Sequence, residues 1–476
     1  MNLLDALADR VLVADGAMGT MLQSVPLSLD DFAGLEGCNE ILNVTRPDVV
    51  RQVHRGYLEA GADAIETNTF GANWANLAEY DIADRIFELA ETGARLARET
   101  ADEFGDRFVL GSVGPGTKLP TLGHAPFAKL RDAYAEQVRG LLAGGADAVI
   151  IETCQDLLQT KAAVLAAHRA MALEGRMVPV IAQVTVQTTG TMLLGSEIGA
   201  ALSALEPLGI DLIGMNCATG PAEMGEHLRT LSQRSRIPLS VMPNAGLPEL
   251  GANGAEYRLS PEELAGALAE FVSRYGARLV GGCCGTTAEH IRQVVAAVRE
   301  VPCGAPVPVP QPGLSSTYQP VPFAQDASVL MIGERTNANG SKKFREAMVA
   351  SRYDDCVEIA KAQIRDGAHM LDLCVDYVGR DGAADMAELA GRFGRPRRCR
   401  SCWTRPTPGY CAPASSTSAA GVRSTRSTTR TATGRTHGSC RSCDWRGSTA
   451  QRWSRCASTR TGRPAPRRGS CGSPPG

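Results

Sequence analysis

Residues 1–301 predict an α/β fold in which eight parallel strands close into a (β/α)8 barrel, and two observations carry that prediction. Short β-branched runs alternate with longer amphipathic stretches eight times. Consecutive parallel strands need a helical crossover between them, so this alternation favours a parallel sheet. A helix, Gly-Ala-Asp turn and strand unit also recurs, as LEAGADAIETN at 58–68 and LAGGADAVIIET at 142–153. The expected architecture is a TIM barrel, followed by an incomplete second α/β barrel and a disordered basic tail.

The strands are expected at 11–15, 64–68, 108–113, 148–152, 178–185, 211–216, 238–242 and 278–282. Helix-like stretches lie between them at 46–60, 74–104, 127–143, 157–173 and 221–235. A further helix has a clear start, with Ser260 as N-cap, Pro261 in the first turn and Glu263 completing a capping box.

Between 302 and 322 there are seven prolines, so 302–326 is expected to be an extended, polyproline-like linker. A new unit spans 327–394, with a strand at 328–337, a helix over 342–366 and a strand at 369–375. IRDGAHMLDLCVD at 364–376 repeats the Gly-Ala turn a third time. About two βα units are too few to close a barrel by themselves.

The net charge of −2 hides a division. Residues 395–476 hold 17 Arg, no Lys and one acid, Asp444, whereas 1–394 hold 32 basic and 50 acidic residues. The tail has one Val and no Leu, Ile, Met or Phe, so it cannot bury enough apolar surface to offset the entropy of ordering it. Its composition reads as an out-of-frame translation of a GC-rich gene. CRSC occurs at 399–402 and again at 440–443, and such pairs together with the arginines also suit a zinc-dependent nucleic-acid binder. The tail lacks the strands a zinc ribbon needs, so no nucleic-acid partner is expected. No stretch reaches the roughly 18 apolar residues of a membrane span, and the N-terminus lacks a signal sequence. The chain therefore reads as cytoplasmic, without a membrane partner.

In an α/β barrel, chemistry sits where strands end. Cys217 ends the sixth strand, and Cys283 and Cys284 end the eighth. Three thiolates suit zinc, which takes four ligands and keeps one position open when catalytic. A thiol substrate in that position loses its proton near neutral pH without a nearby base. Adjacent cysteines also form vicinal disulfides or sit as buried apolar side chains, and on the residues alone these readings stand beside the metal site.

GMNCATGP at 214–221 and VGGCCGTT at 280–287, with VADGAMGTML at 13–22, ETNTF at 66–70 and MPNAGLP at 242–248, resemble the homocysteine methyltransferases over residues 1–300. The resemblance implies that Cys217, Cys283 and Cys284 ligate zinc. It also implies that homocysteine binds the zinc through sulfur, and that the thiolate takes a methyl group to give methionine. Asp15 and Glu152 would hold the ammonium group of the amino acid; without the resemblance they read as a turn-stabilising carboxylate and a strand-end ion pair. Stand-alone members of the family use betaine or S-methylmethionine.

The second unit, MIGERTNANGSKKF at 331–344 and then GAHMLDLCVD, is similar to the opening of the pterin-binding barrel in the cobalamin-dependent methionine synthases. That resemblance implies that Glu334, Asn337 and Asp372 face the pterin of 5-methyltetrahydrofolate, although Cys374 stands where many members carry Asn. It also implies methylcobalamin as the carrier between folate and homocysteine. The modules that bind the corrinoid do not fit in the residues after 395, where no Asp-x-His-x-x-Gly element occurs.

Overall fold

The computed structural model of the chain describes residues 2–251, 254–394 and 403–404. Eight parallel strands form one sheet: β1 (Leu12–Val13), β2 (Ala64–Glu66), β3 (Phe108–Val113), β4 (Ala148–Cys154), β5 (Val180–Val184), β6 (Leu212–Asn216), β7 (Leu239–Met242) and β8 (Ala277–Val280). From β2 onward each strand pairs with its successor, β8 pairs with β1, and a parallel bridge from Ala14 to Ala64 closes the ring between β1 and β2. All eight expected strands are therefore present, and the barrel is the fold.

Side chains alternate across each strand with a period of two. Leu12, Ala64, Leu110, Ile150, Leu212 and Leu279 meet inside the barrel, where the helix Leu3–Asp9 adds Leu3, Ala6 and Leu7. Val13, Ile65, Val109, Val149, Ile213 and Val280 face the opposite way and pack against the helical layer. Two residues beyond an inward apolar or glycine position, the same alternation brings Glu66, Ser112, Glu152 and Asn216 to the C-terminal mouth. The polar floor of the site is thus a consequence of strand period.

The Gly-Ala-Asp repeat has a physical cause. Gly61 and Gly145 both adopt φ of 100°, which side chains rarely tolerate. Each following aspartate then accepts an amide from the preceding strand: Asp63 Oδ2 from Val13 N at 3.0 Å and Asp147 Oδ2 from Val109 N at 2.8 Å. Asp211 does the same for Val180 N at 2.8 Å. In the second unit His369 takes over this role, its Nδ1 accepting from Met331 N at 3.1 Å.

Helices Phe127–Ala143, Leu157–Glu174 and Pro221–Arg234 lie where expected, and Ser260 caps Pro261–Tyr275 in a capping box with Glu263. The helix expected over 74–104 is broken. Trp74–Leu77 and two 3-10 turns precede Ile86–Asp102, and Asp81 between the turns is left-handed at φ 58°. The helix expected over 342–366 divides into Lys342–Val349 and Tyr353–Arg365, because Ser351 takes φ 54°.

The proline-rich segment is not a free spacer along its whole length. Gly313–Ser315 and Pro320–Pro322 pair as an antiparallel hairpin. Its tip docks on the barrel, where Glu197 N donates to Tyr318 O at 2.8 Å and Ser196 Oγ to Thr317 O at 2.5 Å. An isolated two-stranded ribbon tolerates proline because its outward amides need no partner. A second hairpin, Glu249–Gly251 with Gly254–Glu256, follows β7 and has no counterpart in the expected elements.

After the hairpin, β9 (Ile332–Asn337), β10 (Met370–Cys374) and β11 (Trp403–Thr404) form a parallel three-stranded sheet. Phe344, Met348, Val357, Leu371, Leu389 and Phe393 build its core with the help of a third helix, Gly382–Phe393. This unit exceeds the two βα repeats expected, and Trp403–Thr404 falls in the stretch expected to be without structure. The rest of 395–476, including both CRSC sequences, lies outside the described residues. No helix among the described residues is long and apolar enough to cross a membrane.

Candidate active site

Cys217 follows β6 directly, and Cys217 and Ala218 are both left-handed at φ 59°. Such conformations are uncommon for residues with a Cβ and persist where surrounding contacts hold them. Here the contacts come from the end of β7, which lies between the two cysteine turns. Cys217 N donates to Met242 O at 3.2 Å, Cys283 N to Pro243 O at 2.8 Å, and Ala245 N to Cys284 O at 2.9 Å. Gly282 permits close approach, since a Cβ there would lie 2.5 Å from Thr286 Oγ1.

The sulfurs of Cys217, Cys283 and Cys284 all lie within 4.8 Å of one another, and none is in a disulfide. Cys217 Sγ and Cys284 Sγ are 3.7 Å apart. Tetrahedral zinc with bonds of about 2.3 Å holds two sulfurs roughly 3.8 Å apart, so the spacing suits that ion. Hydrogen bonds from Cys217 and then Cys283 draw Cys284 down to about 3. Cys283 is pushed up by its hydrogen bonds to Cys217 and Cys284 and by burial. Cys217, although lowered by its hydrogen bond with Cys283, ends at about 12 through its bond to Cys284 and burial. Asn244, on the β7 segment between the cysteine turns, has a buried Oδ1 without a partner among the described residues. These donors fit a soft divalent ion.

Beside the sulfurs lies a group of buried acids. Glu152 accepts from Ser112 Oγ at 2.5 Å and from Asn216 Nδ2 at 3.1 Å. Asp15 Oδ2 accepts from Glu66 N at 2.9 Å, while Asp15 Oδ1 and Glu66 Oε1 are buried without partners among the described residues. Burial is the main cause that raises all three carboxyls: Asp15 and Glu66 rise well above the usual range, and Glu152 reaches about 7. Three buried acids with no basic partner among the described residues are costly unless a cation arrives to pair with them. Glu66, Glu152 and the three cysteines line one cavity of about 230 Å³, closed on another side by residues 16–20.

The family model described as Homocysteine S-methyltransferase matches residues 12–298, the stretch that builds this barrel and cavity. The chain belongs to the homocysteine S-methyltransferase family. A second family model, described as Pterin binding enzyme, matches residues 333–395. Methionine synthase of Mycobacterium tuberculosis is 67% identical over 396 residues, covering 82% of this chain and 33% of the relative. Methionine synthase of Mycobacterium leprae is 65% identical over 401 residues, with the same coverage. The chain thus spans about a third of the length of these curated relatives. Among solved structures, the metallated form of the homocysteine methyltransferase MmuM from Escherichia coli is 25% identical with a TM-score of 0.51. It covers 62% of this chain and 99% of its own. The oxidized form of the same protein gives a TM-score of 0.50 at the same identity and coverage.

In this homocysteine S-methyltransferase barrel, the structure brings the expected Cys217, Cys283, Cys284 and Glu152 to one cavity, with Asp15 behind Glu66. Glu66, Ser112 and Asn216 also line this cavity or its wall and are not among the residues the sequence motifs assign a role. Glu66 opens the ETNTF motif and Asn216 directly precedes Cys217, so both stood beside sequence already singled out. In the second unit, Asn337 and Asp372 meet, with Asn337 Nδ2 donating to Asp372 Oδ2 at 3.3 Å. Asn337 Oδ1 also accepts from Asn339 N at 2.9 Å and Gly340 N at 3.2 Å, which shapes the following turn. Glu334 lies apart from them, exposed on an open cavity with Arg335, Gln363 and Asp366. Asn339 Nδ2 approaches Cys374 Sγ at 3.7 Å.

Proposed function

We propose that residues 1–301 bind zinc through Cys217, Cys283 and Cys284 and present the sulfur of homocysteine for methylation to methionine. We infer further that the chain corresponds to the N-terminal part of a cobalamin-dependent methionine synthase, acting in the cytoplasm, whose methyl group comes from 5-methyltetrahydrofolate. The observation that carries the reading is the pairing, in one cavity, of a three-sulfur cluster with buried acids that have no basic partner among the described residues. A small aminothiol satisfies both at once.

Zinc, when bound, supplies Lewis acidity that lowers the pKa of a coordinated thiol. The chain's own residues place the substrate. Glu152, held by Ser112 and Asn216, would accept from the ammonium group, whose positive charge would in turn favour ionisation of the neighbouring Glu66 and Asp15. Fixing the amino-acid end orients the sulfur toward the incoming methyl group, so the barrel contributes mainly orientation and a low thiol pKa. Asn337 and Asp372, with Glu334, are the residues proposed to face the pterin in the second unit, and the pterin-binding family match supports their placement there.

The test is turnover by the purified whole chain. With methylcobalamin as donor we expect zinc-dependent methylation of homocysteine. Complete inactivity of folded, zinc-loaded protein would overturn the assignment. Activity with betaine or S-methylmethionine and no cobalamin would instead mark a stand-alone methyltransferase.

A further inference from the structure

At the opposite end of the barrel lies a second cavity of about 560 Å³ that the methyl transfer does not use. It opens across the N-terminal ends of β8, β1, β2 and β3, four neighbouring strands. Arg10, Arg107, Arg278 and Arg299 line it, against Asp9 and Asp63. Elsewhere on this face acids and bases pair: Arg98 Nη1 meets Asp147 at 2.8 Å below β4. Here the balance fails.

Arg10 pairs with Asp63 at 2.9 Å, and the other oxygen of Asp63 is committed to Val13 N. Arg107, Arg278 and Arg299 make no ion pair among the described residues. Among the described residues the Arg107 side chain reaches only the carbonyl of Asp106, at 3.2 Å, and its Nε is buried without an acceptor. A buried guanidinium N–H without an acceptor is destabilising, as is the convergence of several cations on one space. Four guanidiniums and two carboxylates leave the lining with a charge of +2. A phosphate monoester carries about −1.5 to −2 near neutral pH and offers three acceptor oxygens. The planar fork of arginine matches those oxygens in pairs.

We propose that this lower cavity binds a phosphate-bearing small molecule. Arg278 lies on β8, Arg299 on the last barrel helix (Ala288–Glu300), and Arg107 just before β3. A ligand held by all three ties the last strand to the first ones where the barrel closes. Such a ligand stabilises the native state by mass action without entering the thiol cavity.

The test uses the whole chain, with pyrophosphate and inorganic phosphate as probes. Hydrogen exchange is followed at residues 105–109 and 297–303, a local readout that anion binding elsewhere on this arginine-rich chain does not move. We expect pyrophosphate to slow exchange there saturably in 150 mM NaCl, with sulfate competing weakly. Arg278→Gln combined with Arg299→Gln should weaken the effect at least tenfold while zinc content and circular dichroism stay as in the parent. Arg278→Lys, which keeps the charge and is milder for folding, should weaken it by a smaller factor. No slowing in the parent chain overturns the proposal, as does an unchanged response in either variant.

Discussion

Asn216 donates from its side-chain Nδ2 to Glu152 at 3.1 Å, and the same nitrogen stands 3.8 Å from the sulfur of Cys283. Its Oδ1 accepts from Thr153 N at 2.7 Å, which helps hold Thr153 in a left-handed conformation at φ 56°. One amide therefore joins the acid side of the cavity to the sulfur side. Removing a hydrogen bond to a buried charged group costs about 1.5–3 kcal/mol. Asn216→Ala should therefore raise the KM for homocysteine roughly tenfold to a hundredfold, by the usual conversion of free energy to binding. Zinc content should stay at the parent level, since the amide is not a sulfur donor. Steady-state kinetics with metal analysis checks this, and an unchanged KM would remove Asn216 from the substrate-positioning residues.

The sulfur cluster gives a sharper expectation. Each of Cys217→Ala, Cys283→Ala and Cys284→Ala should abolish stoichiometric zinc, leaving two sulfurs where a tightly held ion needs three protein donors. Methylation of homocysteine should be lost along with the metal. Full zinc occupancy in any one variant would show that its sulfur is not a ligand.

The cysteines and the barrel could be read from the sequence because each has a local signature. β6 opens with the apolar run 212–215, and Cys217, Cys283 and Cys284 sit where runs of that kind stop. The inward direction of Glu66 is different. It follows from strand period within a closed ring, so it becomes visible only once β2 is in register with β3. The helix breaks at Asp81 and Ser351 carry no glycine or proline to announce them. The hairpin at 313–322 depends on docking against Ser196 and Glu197, more than a hundred residues away in the chain. Long-range packing decided these features, and local composition does not record it.

Glu66 should show a trade between stability and binding. Its carboxyl is buried, raised chiefly by burial and then by Glu152 and Asp15, and one oxygen has no partner among the described residues. Glu66→Gln removes an acid that the ligand-free protein holds at a cost, so its melting temperature should rise above the parent's. The same change weakens the potential that attracts an ammonium group, so the KM for homocysteine should increase. Differential scanning calorimetry and kinetics on one preparation test both directions. A variant that loses stability and keeps its KM would make Glu66 a structural residue.

His54 sets an acid limit that can be isolated by difference. It lies on the helix Pro47–Glu59, fully buried, with neither ring nitrogen hydrogen-bonded among the described residues. Burial lowers its pKa from 6.5 to about 4. The unfolded chain therefore takes up a proton below pH 6.5 that the folded chain refuses until about pH 4. The stability tied to neutral His54 is fully present above pH 6.5 and is lost as the pH falls to 4. At the conversion of 1.36 kcal/mol per pKa unit the loss amounts to about 3 kcal/mol. Glu152 acts with the opposite sign: its raised pKa of about 7 adds stability as the pH drops toward 4.5, which masks part of the histidine effect in the parent chain. Comparing parent and His54→Phe by urea unfolding at pH 7.5, 6 and 5 cancels that background. The gap between the two should shift in favour of the variant by about 2 kcal/mol between pH 7.5 and 5, since most of the histidine window lies in that span. A pH-independent gap would mean that His54 gains its proton in the folded state as readily as in the unfolded one.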